Sequence, residues 1–221
     1  MKILILAAMD KELSLLLNVL ENSQNNHIED LEFWEGSISC HEVYLSKCGI
    51  GKVNSALFTL KLILKIKPDL VINSGVAGGA GTPIGSILIA DKVAYHDVWC
   101  GPGTLYGQAD GLPLFMQPYS KIIEIAQNNG LSTGLICSGD KFISSGEEIS
   151  FIRSKFPEVK AVDMESASIA QTCILSGIPF AVIRIVSDTP GEGENIEQYK
   201  DFWKTAPEKT FSTLSLILKN L

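Results

Sequence analysis

The chain predicts an α/β fold: a single-domain three-layer sandwich, with a mostly parallel or mixed central sheet flanked by helices. Three observations carry that expectation. Apolar runs of strand length recur along the whole chain, among them Pro179-Phe180-Ala181-Val182-Ile183-Arg184-Ile185-Val186-Ser187. Segments with helical signals alternate with those runs, which is the pattern of helices packed on a parallel sheet. No stretch of the 221 residues reads as a linker, so residues 1–221 are taken as one domain.

Each element has a local reason. Residues 2–8 are an apolar strand. Asp10 is placed to cap a helix over about 11–21, with Glu12 in its first turn beside the positive end of the dipole. The polar residues 22–30 read as a loop. Residues 31–36 and 40–47 read as a hairpin around Gly36-Ser37. Gly49-Ile50-Gly51 leads into a long helix that stops near Lys67, before Pro68. Leu70-Val71-Ile72 is a core strand, followed by a glycine-rich turn from Gly75 to Gly81. Residues 86–97 are strand-like, and 99–118, rich in Gly, Pro and aromatics, read as a long loop. A helix over 119–129 and a strand over 134–137 follow. Helices over 147–155 and 164–176 bracket a strand at 159–162. After the 179–187 strand, one final helix runs from about Asn195 to the end. No internal repeat or low-complexity tract is present.

Composition narrows the function. Hydrophobic residues make up 46% and charged residues 19%, which suits a filled core rather than a disordered chain. The net charge of −7 argues against nucleic acid, whose phosphates need clustered cations. No apolar run approaches the roughly 18 residues of a membrane span, and the apolar start is too short for a secretion signal. Cys40, Cys48, Cys100, Cys137 and Cys173 are widely spaced, without a CxxC pair or a Cys/His metal spacing. Reduced thiols in a cytoplasmic protein, with no metal and no cofactor, are the expectation.

Three carboxylates stand at junctions between strand and helix or loop: Glu12, Glu165 and Asp188. Open α/β sheets bind ligands at the carboxyl ends of their strands. Each acid also has an ordinary explanation. Glu12 and Glu165 suit a helix N-terminus, and Asp188, before Thr189-Pro190, suits a turn. Their recurrence at strand ends is what points to acid/base chemistry. The amides of the glycine-rich segment, among them Val76, Ala77 and Gly78, are able to approach a ligand closely. That segment is neither GxGxxG nor a Walker loop, which disfavours a dinucleotide or a nucleoside triphosphate. Phe142, in a loop after a strand, is either a stacking surface for a flat base or ordinary core.

Six segments, in order, resemble the nucleoside phosphorylase/nucleosidase superfamily, and within it the 5′-methylthioadenosine/S-adenosylhomocysteine nucleosidases. They are Ala8-Met9-Asp10-Lys11-Glu12, Gly49-Ile50-Gly51-Lys52-Val53-Asn54, Asn73-Ser74-Gly75-Val76-Ala77-Gly78-Gly79, Ser138-Gly139-Asp140-Lys141-Phe142-Ile143, Ala161-Val162-Asp163-Met164-Glu165 and Arg184-Ile185-Val186-Ser187-Asp188. The resemblance spans essentially the whole chain. It implies hydrolysis of the N-glycosidic bond of a purine nucleoside, within methionine salvage. Asp188 resembles the general acid on the base, and Glu12 the group that deprotonates the attacking water. Met164 and Glu165 match ribose-holding positions, and Phe142 and Ile143 the adenine-binding pair. Ser187 supports the acid loop, while Met9 and Ile50 lie near the ribose and its 5′ substituent. Arg184 matches an arginine near the water site, and Tyr199, or Phe202, an aromatic that closes over the 5′ group. The resemblance also implies a homodimer in which loop 99–108 completes the neighbour's site.

The superfamily's phosphorylases hold phosphate with arginines, one of them just before the glycine-rich segment. Here that neighbourhood is Ile72-Asn73-Ser74, and the chain has only Arg153 and Arg184. Glu12 repels phosphate and suits water, so hydrolysis is favoured over phosphorolysis. Three positions depart from the family pattern: Val76 for a usual serine, Asp163 for a usual glutamate, and the sequence upstream of Tyr106-Gly107-Gln108. They leave a futalosine-type nucleoside, or binding without turnover, as the alternatives.

Overall fold

The computed structural model describes residues 1–205 and 207–221. In chain order the elements are β1 (Lys2–Ala7), α1 (Asp10–Leu17), β2 (Glu21–Ile28), β3 (Leu31–Ile38), β4 (His41–Lys47), α2 (Lys52–Ile66), β5 (Leu70–Gly79), β6 (Ile87–Tyr95), α3 (Ser120–Asn128), β7 (Ser132–Ser138), α4 (Gly146–Lys155), β8 (Val159–Asp163), α5 (Ser166–Ser176), β9 (Phe180–Asp188), α6 (Asn195–Thr205) and α7 (Pro207–Asn220).

One nine-stranded mixed sheet, ordered β2-β3-β4-β1-β5-β8-β7-β6-β9, runs through the molecule. Strand β1 pairs parallel with β4 and β5, and β5 pairs parallel with β9. The β5–β9 pairing joins the two ends of the β5-β8-β7-β6-β9 stretch, so that half of the sheet closes on itself. Alternation along β1 shows the layering. Leu4 and Leu6 share a core with Leu62, Ile63 and Ile66 of α2 and Ala167, Ile169 and Ala170 of α5. Ile3 and Ile5 face the other way, onto Leu13 and Leu16 of α1, Ile122 and Ile125 of α3, and Leu214, Ile217 and Leu218 of α7. Helix α4 covers β7 and β8 through Ile149 and Ile152. This is the expected sandwich of helices on a mixed sheet.

Five local expectations are corrected. Residues 22–30 are mostly strand β2, although ENSQNNHI has no apolar periodicity; its antiparallel partner β3 supplies the structure. The β3–β4 hairpin turns at Ser39-Cys40, not at Gly36-Ser37. Gly36 lies inside β3, where a Cβ would come within 2.6 Å of the Glu21 carbonyl oxygen. The residue capping α1 is Met9, not Asp10, and that helix ends at Leu17. The segment from Gly75 is not a turn: β5 continues through it to Gly79, because β9 pairs with it as far as Gly78. The last helix is two, α6 and α7, and Pro207 opens the second, where its missing N–H is tolerated. Among the described residues, no helix is long and apolar enough to cross a membrane.

Candidate active site

The carboxyl-terminal ends of β1, β5, β8 and β9 meet at one cavity. Its wall is formed by Ala8, Met9, Glu12, Ile50, Val76, Ala77, Gly78, Lys141, Phe142, Ile143, Val162, Asp163, Met164, Glu165, Ser187, Asp188 and Tyr199. Every residue singled out from the sequence for the site lies on that wall except Arg184 and Phe202, the alternative to Tyr199.

Glu12 is buried, and its carboxylate is held by three backbone amides. Oε2 accepts from Ala8 N (2.8 Å) and Met9 N (3.1 Å), and Oε1 accepts from Val76 N (3.0 Å). The bond back to Met9, the capping residue of α1, is half of a capping box. The helix therefore uses Glu12 structurally while the bond to Val76 fixes the carboxylate against β5. Burial pushes its pKa up, opposed by the Arg184 guanidinium and the three amides. Gly75 makes room for this arrangement: a Cβ there would stand 2.5 Å from Glu12 Oε1.

Glu165 follows β8 and caps α5. Its Oε1 accepts from Gly51 N at 3.0 Å. Gly51 has φ +87°, a conformation that favours glycine, so its N–H can turn to Glu165 while α2 begins at the next residue. Burial first, and the Asp163 charge second, push the Glu165 carboxyl up to about 7. Asp140 braces the same corner, its Oδ1 accepting from Lys52 N at 2.6 Å.

Asp188 ends β9. Oδ1 accepts from the Ser187 hydroxyl (2.7 Å) and Oδ2 from the Asn195 side-chain amide (3.1 Å). Burial raises its pKa, and those two donors pull it back. Phe142 forms an edge-to-face pair with Tyr199, with centroids 5.7 Å apart. The Tyr199 hydroxyl reaches Met9 Sδ at 3.4 Å, so α6 lies over the cavity from the Phe142 side to the Met9 side. Phe202, the alternative to Tyr199, is buried and is not on the cavity wall.

The sequence model of the phosphorylase superfamily matches residues 2–219. A 5′-methylthioadenosine/S-adenosylhomocysteine nucleosidase of Geobacillus sp. (strain WCH70) is 36% identical over 100% of this chain and 99% of its own length. The S-adenosylhomocysteine nucleosidase of Streptococcus pyogenes, solved in complex with 5-methylthiotubericidin, superposes with a TM-score of 0.94. It is 36% identical and covers 100% of this chain and 97% of its own. A futalosine hydrolase mutant of Helicobacter pylori gives a TM-score of 0.90 at 29% identity, over 100% of this chain and 99% of its own.

The chain belongs to the 5′-methylthioadenosine/S-adenosylhomocysteine nucleosidase family.

Set beside that nucleosidase family's pattern, two departures now have a structural account. Asp163 is committed to other partners: Oδ2 accepts from Arg184 Nε (2.8 Å) and from the Ser166 hydroxyl, and Oδ1 from Ser166 N (3.3 Å). Its role is to anchor Arg184. Val76 contributes its amide to Glu12, a contact that does not depend on the side chain. Arg184 stands behind Glu12 and Asp163. It is buried off the cavity wall and grips Asp163, Ser166 Oγ (2.9 Å) and both the side chain and the carbonyl of Asn73. Its charge reaches Glu12 and Glu165 through space. The sequence reading left Ala8, Lys141 and Val162 out of the cavity wall, and Asn195 out of the support for the acid. No local signal marks Asn195, which looks like an ordinary helix-start residue.

Proposed function

We propose that this protein hydrolyses the N-glycosidic bond of 5′-thio-substituted adenosines of the 5′-methylthioadenosine and S-adenosylhomocysteine type, releasing adenine and the thio-ribose. The single observation that carries the reading is the meeting of Glu12 and Asp188 on one cavity wall, each buried and each held by oriented donors. Breaking the bond between C1′ and the base nitrogen leaves the electron pair on adenine and positive charge on the sugar. Asp188, whose pKa burial raises, delivers its proton to the base. Glu12 takes a proton from the water that attacks C1′. This is the division of labour of two carboxylates in inverting glycoside hydrolysis. Glu165 and Met164 hold the ribose, and a carboxylate bonded at Oε1 retains acceptor capacity for sugar hydroxyls. Phe142 and Ile143 flank the base; Ile50, Met9 and Tyr199 enclose the 5′ side.

Water rather than phosphate is favoured by charge. Among the residues on the cavity wall the cation is Lys141, which is ion-paired with Glu148. Four acids, Glu12, Asp163, Glu165 and Asp188, otherwise dominate the wall, and Arg184 is engaged behind it with Asp163.

The same reading has residues 1–221 acting as one domain in a cytoplasmic homodimer that serves methionine salvage. Helices α2 and α5 expose Val53, Leu57, Leu64 and Leu175, an apolar face suited to a second copy. Trp99 and Leu105 of loop 99–108 are exposed as well, and none of that loop lies on the wall of its own chain's cavity. Five free thiols suit a reducing compartment.

The test is adenine release from 5′-methylthioadenosine in phosphate-free buffer, with Asp188→Asn as control. Release by the native protein, and a fall of about 10²-fold or more in the variant, is the expected result. Release only on adding phosphate replaces hydrolysis by phosphorolysis. Turnover of futalosine but not of the thio-nucleosides reassigns the 5′ substituent. Tight binding without turnover makes the protein a nucleoside binder. Sedimentation as monomer alone at assay concentration removes the shared-site dimer.

A further inference from the structure

We propose that Asn195 is a positioning residue for the acid, locking the Asp188 carboxyl, the base-side wall and helix α6 into one geometry. The inference rests on the reading of Asp188 as the general acid. Asn195 is the first residue of α6 and is buried. Its side-chain Nδ2 carries two hydrogens, and the structure uses both. One goes to Asp188 Oδ2 at 3.1 Å and the other to the Ile143 carbonyl at 3.2 Å. A single amide therefore ties the end of β9 to the segment that carries Phe142. It does so at the start of the helix that brings Tyr199 against Phe142.

The chemistry of the two donors on Asp188 differs. Ser187 offers a hydroxyl, which can also turn toward the Ala77 carbonyl at 3.3 Å and then accept a hydrogen bond. An amide N–H can only donate. Asn195 therefore holds Oδ2 as an acceptor whichever protonation state Asp188 is in, while Ser187 adapts. A donor fixed on the carboxylate favours its charged form. Asn195 consequently limits how far burial raises the acid, and lets the proton leave for the base. The charged and titratable groups that share the cavity with Asp188 are Glu12 on α1, Lys141 after β7, Asp163 and Glu165 at the end of β8, and Tyr199 on α6. Among the described residues, β5 and β6 bring no charged side chain to that wall. None of these groups changes when Asn195 is replaced.

Gln198 supplies the control. It sits on the same helix and staples the same loop, with Oε1 accepting from Thr189 N (2.9 Å) and Nε2 donating to the Glu192 carbonyl (3.1 Å). It does not touch Asp188.

The experiment measures kcat/KM against pH for the native protein, Asn195→Ala, Asn195→Asp, Gln198→Ala and Asp188→Asn, with thermal melting to confirm folding. The alkaline limb reports loss of the proton from the acid. Losing the amide raises the pKa of Asp188, so Asn195→Ala moves that limb upward by about one unit and lowers kcat by about tenfold, with KM less affected. Asn195→Asp, similar in size and bearing a second negative charge, moves the limb further in the same direction and carries the test if the alanine variant does not fold. In Gln198→Ala the limb stays in place. A limb that stays in place in both Asn195 variants, or moves as far in Gln198→Ala, overturns the inference. Full activity in Asp188→Asn instead overturns the reading of the acid on which it rests.

Discussion

Arg184 donates from Nε to Oδ2 of Asp163 at 2.8 Å, its Nη2 stands 2.8 Å from the same oxygen as an ion pair, and both side chains are almost fully shielded from water. A buried ion pair of this kind contributes little net stability when complete, because desolvation offsets the attraction. Broken, it leaves a carboxylate without its counter-charge in the interior. Arg184→Met is therefore expected to lose about 3–5 kcal/mol of unfolding free energy, read by urea denaturation. A loss under 1 kcal/mol, roughly the range of an ordinary surface substitution, shows that Asp163 finds other partners.

Gly75→Ala separates chemistry from folding. The strand backbone there is not in the left-handed region, so the conflict is with the end of one side chain, Glu12 Oε1 at 2.5 Å. The carboxylate has to move off the Val76 amide. On the proposed mechanism a misplaced Glu12 loses about 10²-fold in rate, whereas stability should fall only by the cost of one unmet buried donor, about 1–3 kcal/mol. Comparing kcat with the melting temperature checks it; parallel losses in both show a folding defect instead.

Glu165 makes stability depend on pH. Its folded pKa, about 7, is raised from 4.5. Between those values the folded state holds a proton that the unfolded state has released. Its stabilising contribution is fully present below pH 4.5 and is lost as pH rises through 7. Glu165→Gln removes this dependence, so its unfolding free energy should exceed that of the native protein above pH 7 by at most about 3 kcal/mol, while KM for the nucleoside rises. Equal pH slopes in the two proteins between 4.5 and 7 contradict the assignment.

On the proposed mechanism, Glu12 sets the acidic side of the rate profile. It acts as base only when ionised, so activity falls as pH drops through its pKa. Burial raises that pKa above 4.5 even with Arg184 nearby. The acidic limb of kcat/KM should accordingly lie above the ordinary carboxylate range, and Glu12→Gln should fall by about 10²–10⁴-fold at every pH. A Glu12→Gln profile that keeps the native acidic limb assigns that limb to another group.

The sequence by itself determined the alternation of strands and helices, the glycines at close approaches, and the acids at the strand ends. These are local properties. An apolar run of strand length and a helix-start carboxylate are visible within a few residues, and the six ordered segments carried the family resemblance. Only the tertiary structure decided the rest. Strand β2 has no apolar pattern and exists because β3 pairs with it. Strand β5 extends through Gly75 because β9 runs alongside. Arg184 is held behind the cavity wall because Asp163 and Asn73, far from it in sequence, accept its hydrogens. Asn195 meets both Asp188 and Ile143 only after α6 folds back over the sheet edge. Hydrogen-bond partners distant along the chain leave no periodic trace in it, so the acids were legible from sequence, and the groups that hold Arg184 and Asp188 in place were not.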